Sequence, residues 1–302
     1  MSLQEKGGMM FGIHKKELIG TAALVFAALF WGIEFVVEKD ILNHYGANWS
    51  NAIRFFVASS FFLIVFNSNF RRATLENWKD GLISGSAMGF GYAFQTMGLK
   101  YVGAGVNAFI SSGYIVMIPV FLWIVGSGKP SRRVYISVLT AMVGVGFLSS
   151  SDLQLSELAL GKGETLTLFG AAFYALGIVL SEKHARKMDV QLLAGIQCIG
   201  TFLVSIIMAL LLEPTPDYIN RIIVLEFVYL IIFASMLTQI LFTYGMQYVS
   251  SSKAGVIFLL EAISAMILGW LFLQDTVAVT HILGGIIIII SISIQSTNAT
   301  TE

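Results

Sequence analysis

The sequence predicts an all-α, polytopic membrane protein with ten transmembrane helices arranged as a 5+5 inverted repeat. Composition, the spacing of apolar segments and one internal repeat carry this prediction. The 302-residue chain is 56% hydrophobic and 12% charged, whereas soluble domains carry about 25% charged residues. A mean hydropathy of +0.80 indicates that most of the chain lies in lipid.

Apolar segments recur along the whole chain at the length a bilayer demands. A helix that crosses the hydrocarbon core needs about 20 mostly apolar residues. The first segment is longer than the apolar core of a signal peptide, so we expect it to be retained. The longest connection, roughly 151–163, separates a first unit (1–157) from a second (158–302). The predicted spans are 18–37, 49–67, 80–99, 104–125, 133–150, 164–182, 190–212, 223–248, 253–273 and 277–295.

The basic residues predict the orientation of these spans. If the N-terminus is cytoplasmic, 13 of the 18 Lys and Arg residues fall on inside segments and 4 on outside loops. The remaining one, Arg54, lies within a span. Positive residues collect on the cytoplasmic side of membrane proteins. We therefore expect both termini to be cytoplasmic in a multi-pass protein of the plasma (cytoplasmic) membrane.

A short motif at the end of the third span returns in the second half. Residues 96–102 (TMGLKYV) recur 147 positions later as residues 243–249 (TYGMQYV), with Thr, Gly, Tyr and Val identical. Because five spans per half is an odd number, the second copy enters the membrane from the opposite side. Inverted repeats of this kind are typical of secondary carriers, whose substrate site lies near the midplane between the halves.

Several motifs in order resemble the EamA-type family of the drug/metabolite transporter superfamily. They are residues 28–32 (ALFWG), 54–58 (RFFVA), 108–119 (AFISSGYIVMIP) and 259–272, which begins LLEA. The resemblance covers nearly the whole chain and implies a ten-helix carrier, often an exporter of amino acids or related metabolites. One departure is Ala262, where the family usually has proline after the glutamate.

Three charged residues lie well inside predicted spans. Glu34, Arg54 and Glu261 each cost about 2.5–3.5 kcal/mol at a helix centre on insertion scales. Arg54 could pair with Glu34 as a structural tie or could serve the substrate. Glu34 could face a cavity or reach water at the end of its span. Glu261 lies deeper and is a candidate for cation contact or for proton binding, which makes Glu261 and Arg54 the predicted coupling or ion-pair residues.

Helical spacing gathers the other polar residues into one predicted site. Asn107, Ser111 and Tyr114 lie on one helix face at i, i+4 and i+7. Residues at offsets of 147 and 143 place further polar and aromatic side chains on equivalent faces. Each could instead bond only to a neighbouring helix. The predicted substrate-binding set is Trp31, Glu34, Tyr92, Gln95, Asn107, Ser111, Tyr114, Tyr174, Gln239 and Glu261.

Two features of the spans predict close packing and bending. Gly81, Gly85 and Gly89 form a small-residue face in the third span that allows a neighbouring helix to approach closely. Pro119 removes a backbone hydrogen bond in mid-membrane and should kink the fourth span.

Several function classes stay open. The first is alternating-access export of a small polar metabolite, with protons or another ion as a possible coupling partner. The second is a carrier for a cation such as a quaternary amine, held by aromatic faces and carboxylates. The third, from another class, is a membrane scaffold or enzyme. The sequence has no nucleotide-binding or protease motif and no metal-ligand spacing. No cofactor or metal is therefore expected, and a net charge of zero does not favour nucleic acid.

Overall fold

A computed structural model describes residues 3–126, 131–148, 161–216, 221–273 and 279–296. Within these ranges the chain is helical apart from short connections, and it contains no strand. The all-α prediction is confirmed. The predicted boundary at residue 157 lies outside the described residues.

The first half contains long helices and one span that is divided into two shorter helices, α5 and α6. α1 is by far the longest element, and α3 is a single short turn between α2 and α4. The bounds are α1 (Leu3–Ile41), α2 (Ala47–Val65), α3 (Asn67–Arg71), α4 (Leu75–Leu99), α5 (Ala104–Ser111), α6 (Tyr114–Ile124) and α7 (Arg132–Leu148).

The second half follows the same order of elements. A π-helical segment, Leu230–Leu237, joins α10 to α11 without a turn. The bounds are α8 (Lys162–Ala185), α9 (Val190–Leu212), α10 (Arg221–Tyr229), α11 (Thr238–Tyr248), α12 (Ser251–Ile257), α13 (Leu260–Leu273) and α14 (Val279–Ser296).

Each of the ten predicted spans coincides with one helix or with consecutive helical segments. Five helical stretches among the described residues are long and apolar enough to cross a membrane on their own. These are His14–Ile41, Lys162–Ala185, Val190–Leu212, Ile223–Tyr248 and Ser251–Leu268. The chain is therefore a multi-pass membrane protein, and the count of ten stays a prediction.

The fourth and ninth predicted spans are each broken into two helices at equivalent positions. α5 ends at Ser111, and α12 ends at Ile257, one residue before the position 147 further on. At both breaks the backbone switches to three-residue hydrogen bonds, such as Gly113 N to Ile110 O and Glu261 N to Phe258 O, both 3.0 Å. The second break thus forms without a proline, although Ala262 stands where the family usually has one. Pro119 lies inside α6 rather than at the first break.

The repeated motif joins each half to the first helix of the other half. α4 packs along α8, and α11 packs along α1. A β-carbon at Gly245 would lie 2.5 Å from Leu24 Cδ2 and 2.9 Å from the carbonyl oxygen of Gly20. A β-carbon at Gly98 would meet the Thr167 side chain and would lie 2.8 Å from the Gly163 carbonyl oxygen. Thr167 and Gly163 lie 143 positions after Leu24 and Gly20, so the two contacts are equivalent. Both motif glycines are therefore required by close helix crossings.

The tyrosine of each motif copy also contacts the first helix of the other half. The Lys162 ammonium lies 4.6 Å from the ring centroid of Tyr101, and the Lys16 ammonium lies 5.9 Å from that of Tyr248. Lys162 also donates to the Tyr101 hydroxyl at 2.8 Å. A cation beside an aromatic ring within about 6 Å is favourable, so Tyr101 contacts the first residue of α8 and Tyr248 contacts Lys16 of α1.

The second span of one half packs against the second span of the other half, and the fifth spans pack together in the same way. α2 contacts α9 and α7 contacts α14. The Ser137 hydroxyl donates to the Ser291 carbonyl at 3.0 Å, and a β-carbon at Gly144 would lie 3.0 Å from the Gly284 carbonyl oxygen. The two contacts are equivalent, because Gly284 lies 147 positions after Ser137 and Ser291 lies 147 positions after Gly144.

The glycine face of the third span packs against α9, as predicted. A β-carbon at Gly81 would lie 2.6 Å from Ile196, one at Gly85 would lie 2.5 Å from the Gln197 carbonyl oxygen, and one at Gly89 would lie 2.9 Å from Thr201 Cα. Small residues therefore set the distance between these two helices.

We expect alanine at either motif glycine to destabilise the protein. Gly98→Ala and Gly245→Ala force two backbones apart, and such overpacking costs about 1–3 kcal/mol. Thermal unfolding in detergent should show lower midpoints for both variants. Gly285→Ala is the matched control, because no atom lies within 4 Å of its β-carbon position. Equal midpoints for all three variants would contradict the close crossings.

Candidate functional site

A cavity lies between α1, α4 and α8 and is closed on one side by the two helix breaks. Its cavity volume, counted as the space open to the centres of water-sized molecules, is about 40 Å³, within about 550 Å³ of empty space that includes open solvent. Its walls are mostly apolar with a few polar groups, as in small-molecule sites. The lining residues are Trp31, Glu34, Phe35, Glu38, Met88, Tyr92, Gln95, Thr96, Leu99, Ser111, Tyr114, Tyr174, Ile178, Phe258 and Glu261.

One stripe of α1 supplies the tryptophan and two of the carboxylates. Trp31, Glu34 and Glu38 are spaced by three and four residues and therefore share a helix face. Their exposed fractions are 8%, 8% and 2%. Because α1 continues to Ile41, Glu34 faces the cavity and does not reach water at a helix end.

Aromatic rings form the wall opposite this stripe and around its tryptophan. The Tyr92 and Tyr174 rings meet edge to face at 5.3 Å, and Trp31 meets Phe258 in the same way at 5.3 Å. These distances are those of favourable aromatic pairs. The rings hold one another in place and leave faces and edges to a bound molecule.

Arg54 lies behind the cavity wall, fully buried. Its Nη1 pairs with Glu34 Oε1 at 2.6 Å, and its Nε and Nη2 donate to Asn51 Oδ1 at 3.1 and 2.7 Å. The guanidinium carbon lies 4.9 Å from the Phe55 ring centroid and 4.7 Å from that of Tyr92. Arg54 thus neutralises Glu34 and does not line the cavity. The ion pair that the sequence left open is formed.

Glu261 lies at the second helix break, in the first turn of α13. Its side chain is partly exposed, towards the cavity it lines. Among the described residues, no hydrogen bond or ion pair engages its carboxylate. The first-half position equivalent to Glu261 is Tyr114, whose hydroxyl also has no partner. Both breaks therefore present a free polar group to the same space.

The predicted set divides into cavity residues and helix-bonding residues. Eight of the ten line the cavity: Trp31, Glu34, Tyr92, Gln95, Ser111, Tyr114, Tyr174 and Glu261. Within this group Gln95 is fixed at both ends of its amide: it donates to Ser111 Oγ at 3.2 Å and accepts from the Tyr174 hydroxyl at 2.6 Å.

The other two predicted residues bond neighbouring helices. Asn107 donates to the Gln95 carbonyl at 3.1 Å and to Thr167 Oγ1 at 2.7 Å. Gln239 donates to Gln197 Oε1 at 2.7 Å. Both are buried, and neither lines the cavity.

Sequence reasoning missed several lining residues, of which Glu38 and Phe258 matter most. Glu38 lies one turn beyond Glu34 on the same face, and this spacing was a usable signal. Phe258 is the residue 147 positions after Ser111, so the repeat itself pointed to it. Phe35, Met88, Thr96, Leu99 and Ile178 are ordinary wall residues that only the tertiary packing identifies.

These features define a multi-pass helical membrane protein with an internal cavity for a small molecule. A model of the EamA-like transporter family matches residues 18–150 and again residues 161–297. The chain therefore belongs to the EamA-like transporter family, and the resemblance seen in the sequence is confirmed. The coarse function that follows is that of a membrane transporter of the drug/metabolite transporter superfamily.

Relatives of similar length support this assignment. An uncharacterized transporter of Archaeoglobus fulgidus is 31% identical over 283 residues, which cover 93% of this chain and 87% of the relative. The uncharacterized transporter YoaV of Bacillus subtilis is 20% identical over 280 residues, 88% and 92% of the two chains. A crystal structure that is 16% identical aligns with a TM-score of 0.73 over 93% of this chain and 97% of that chain, which shows the shared fold.

We expect the loss of Arg54 to be more costly than the loss of its ion pair. Arg54→Met leaves Glu34 charged and buried, and breaking a buried pair in this way costs about 3–5 kcal/mol. Adding Glu34→Gln removes the stranded charge and should restore part of the thermal midpoint in detergent. Arg72→Met, at an exposed arginine, is the control. Equal losses at positions 54 and 72 would show that the pair does not stabilise the fold.

Proposed function

We propose that the protein is a secondary transporter that moves a small ammonium-bearing metabolite by alternating access. Ten spans form two inverted five-helix units, 1–157 and 158–302, with both termini cytoplasmic in the plasma membrane. The substrate site is the cavity between the units. The two units rock around this site and expose it to each side of the membrane in turn.

The exchanged contacts between halves support the inverted repeat. Gly98 and Gly245 make equivalent crossings on α8 and α1, and Tyr101 and Tyr248 make similar lysine contacts. A duplicated unit produces such glycine pairs at constant offsets, here 147 within the motif and 143 between α1 and α8, whereas Lys16 and Lys162 lie 146 apart and match only approximately. Unrelated helices that merely pack together have no reason to produce such pairs.

The charge of the cavity carries the proposal for the substrate class. Glu34, Glu38 and Glu261 line the cavity, and no Lys or Arg does among the described residues. Arg54 pairs with Glu34, so Glu261, which has no partner among the described residues, is the carboxylate left to a bound cation. Aromatic faces at Trp31, Tyr92, Tyr114 and Tyr174 suit a cation as well. A positively charged amine is therefore the ligand that this site fits best.

A neutral amino acid or related metabolite is the second candidate, with export as the expected direction. Its ammonium group would use the same carboxylates. The Trp31 indole N–H and the Tyr114 hydroxyl have no hydrogen-bond partner and are donors that could bind a substrate carboxylate. Simple cationic amines and amino acids thus differ in their need for these two donors.

Glu261 is the proposed coupling residue. Its carboxylate is free of protein partners at a helix break, where proton binding and cation binding exclude each other. If proton-linked movement passes through this group, the pH dependence of transport should disappear in Glu261→Gln. An unchanged pH profile in that variant would remove Glu261 from the coupling step.

We expect Glu261→Gln to reduce transport of a cationic amine about 10- to 100-fold, since an interaction with a charged group contributes about 1.5–3 kcal/mol. The measurement is choline uptake into proteoliposomes, with a neutral amino acid assayed in parallel. Glu76→Gln, at an exposed carboxylate, is the matched control and should transport normally.

The parallel assay distinguishes the candidates. Tyr114→Phe removes only a hydroxyl donor, so loss of choline flux in Glu261→Gln with choline and amino acid flux unchanged in Tyr114→Phe favours the amine carrier. Loss of amino acid flux with choline flux intact favours the amino acid exporter. An absence of saturable flux for every small solute tested would favour a membrane scaffold or enzyme and would contradict the proposed function.

A further inference from the structure

Two cavity carboxylates one turn apart on α1 face a single buried arginine. Glu34 and Glu38 are at i and i+4, where side chains lie about 5–6 Å apart at their β-carbons. Arg54 is bonded to Glu34 and lies within electrostatic reach of Glu38. One positive charge therefore serves two acids in a setting where uncompensated charge is expensive.

Glu38 is the acid left without a partner. Its side chain is 2% exposed, and neither carboxylate oxygen makes a hydrogen bond. The Ser50 hydroxyl lies close enough to act on the Glu38 carboxylate, but the two groups do not meet the geometry of a hydrogen bond. The adjacent Lys39 is turned away and donates to the carbonyls of Leu99 and Val102 at 2.6 and 2.8 Å.

In the second half, two uncharged residues make the contact that would be equivalent to a pairing of Arg54 with Glu38. At an offset of 143, Arg54 corresponds to Gln197, Glu38 to Ser181 and Glu34 to Gly177. Gln197 donates to Ser181 Oγ at 2.8 Å. The fold thus already contains a contact between the positions equivalent to 54 and 38, whereas in the first half Arg54 contacts Glu34.

We propose that Glu34 and Glu38 share Arg54 and hold one exchangeable proton, carried by whichever carboxyl group the arginine does not contact. In the arrangement seen here Glu34 is the paired carboxylate and Glu38 is the protonated acid. In the other, Arg54 pairs with Glu38 and Glu34 carries the proton. Each arrangement has one positive charge, one negative charge and one neutral acid, so the exchange moves a proton and a side chain without changing the net charge.

The other charged groups around Glu38 are acidic and favour its protonated form. Glu213 faces it from the end of α9, where it caps α2 through the backbone N–H of Asn48 at 3.1 Å. Glu226 faces it from α10 and lies beside Asp40. Arg54 is the only basic group that faces Glu38 among the described residues.

A proton at this pair would give the carrier a second titrating site beside Glu261, whose backbone carbonyl lies 2.7 Å from the β-carbon position of Gly32 on α1 and whose carboxylate is within electrostatic reach of Glu34. Its use in transport rests on the proposed function, whereas proton binding itself does not. A spectroscopic titration therefore tests the site even if the protein carries a different substrate.

The experiment is a pH titration of the full chain in lipid nanodiscs, followed by infrared difference spectroscopy of the protonated carboxyl C=O band. The wild type should show a buried carboxyl band that Glu38→Gln removes. Glu34→Gln should remove the same band, because Arg54 then pairs with Glu38 and keeps it ionised. Glu261→Gln should leave this band in place.

A second variant separates a lost site from a misfolded protein. Glu38→Ser introduces the residue type that the second half has at position 181 and should also remove the band, while helical circular dichroism and monodisperse elution remain as in the wild type. A spectrum of Glu38→Gln identical to the wild type would overturn the proton site. Persistence of the Glu38 band in Glu34→Gln would overturn the sharing of Arg54.

Discussion

The close crossing of each half with the first helix of the other is the constraint on which the structure depends. α4 lies against α8 and α11 lies against α1, and each contact is possible only because a glycine stands where the backbones meet. In lipid the hydrophobic effect does not drive helices together, so close packing of small residues carries much of the association. The crossings also fix the rotation of α1 and α4, and through it the side chains that enter the cavity.

The two halves share one arrangement of helices but differ in their buried charged residues. The first half places Glu34, Arg54 and Asn51 in one buried cluster, whereas the equivalent region of the second half is a neutral network around Gln197. Neutral polar groups can bond helices permanently without a charge to compensate. Buried ionisable groups in a membrane protein are retained where a function requires them. In the proposed mechanism the first half thus supplies the paired carboxylates on α1, while the second half supplies Glu261 at its helix break and a neutral network that bonds its helices.

Much of this could be predicted from the sequence, and the failures have a physical reason. The apolar spans, the repeated Thr-Gly-Tyr-Val motif and the charged residues in lipid are local signals, so the helical class and most cavity residues followed from them. The break near Ala262 did not, because three-residue hydrogen bonds rather than a proline interrupt the helix. Asn107 and Gln239 have the same polar character as true lining residues. Only the rotation of each helix, set by distant contacts, turns them towards Thr167 and Gln197.

The most direct test of the account asks whether the two halves cross the membrane in opposite senses. Single cysteines are introduced in a Cys198→Ser background, one just before the first span at His14 and one near residue 157, and labelled in intact cells with a membrane-impermeant reagent. The account predicts that the site near 157 is labelled from outside and that His14→Cys is labelled only after the membrane is opened. Labelling of both sites from the same face would contradict the inverted repeat and the shared cavity.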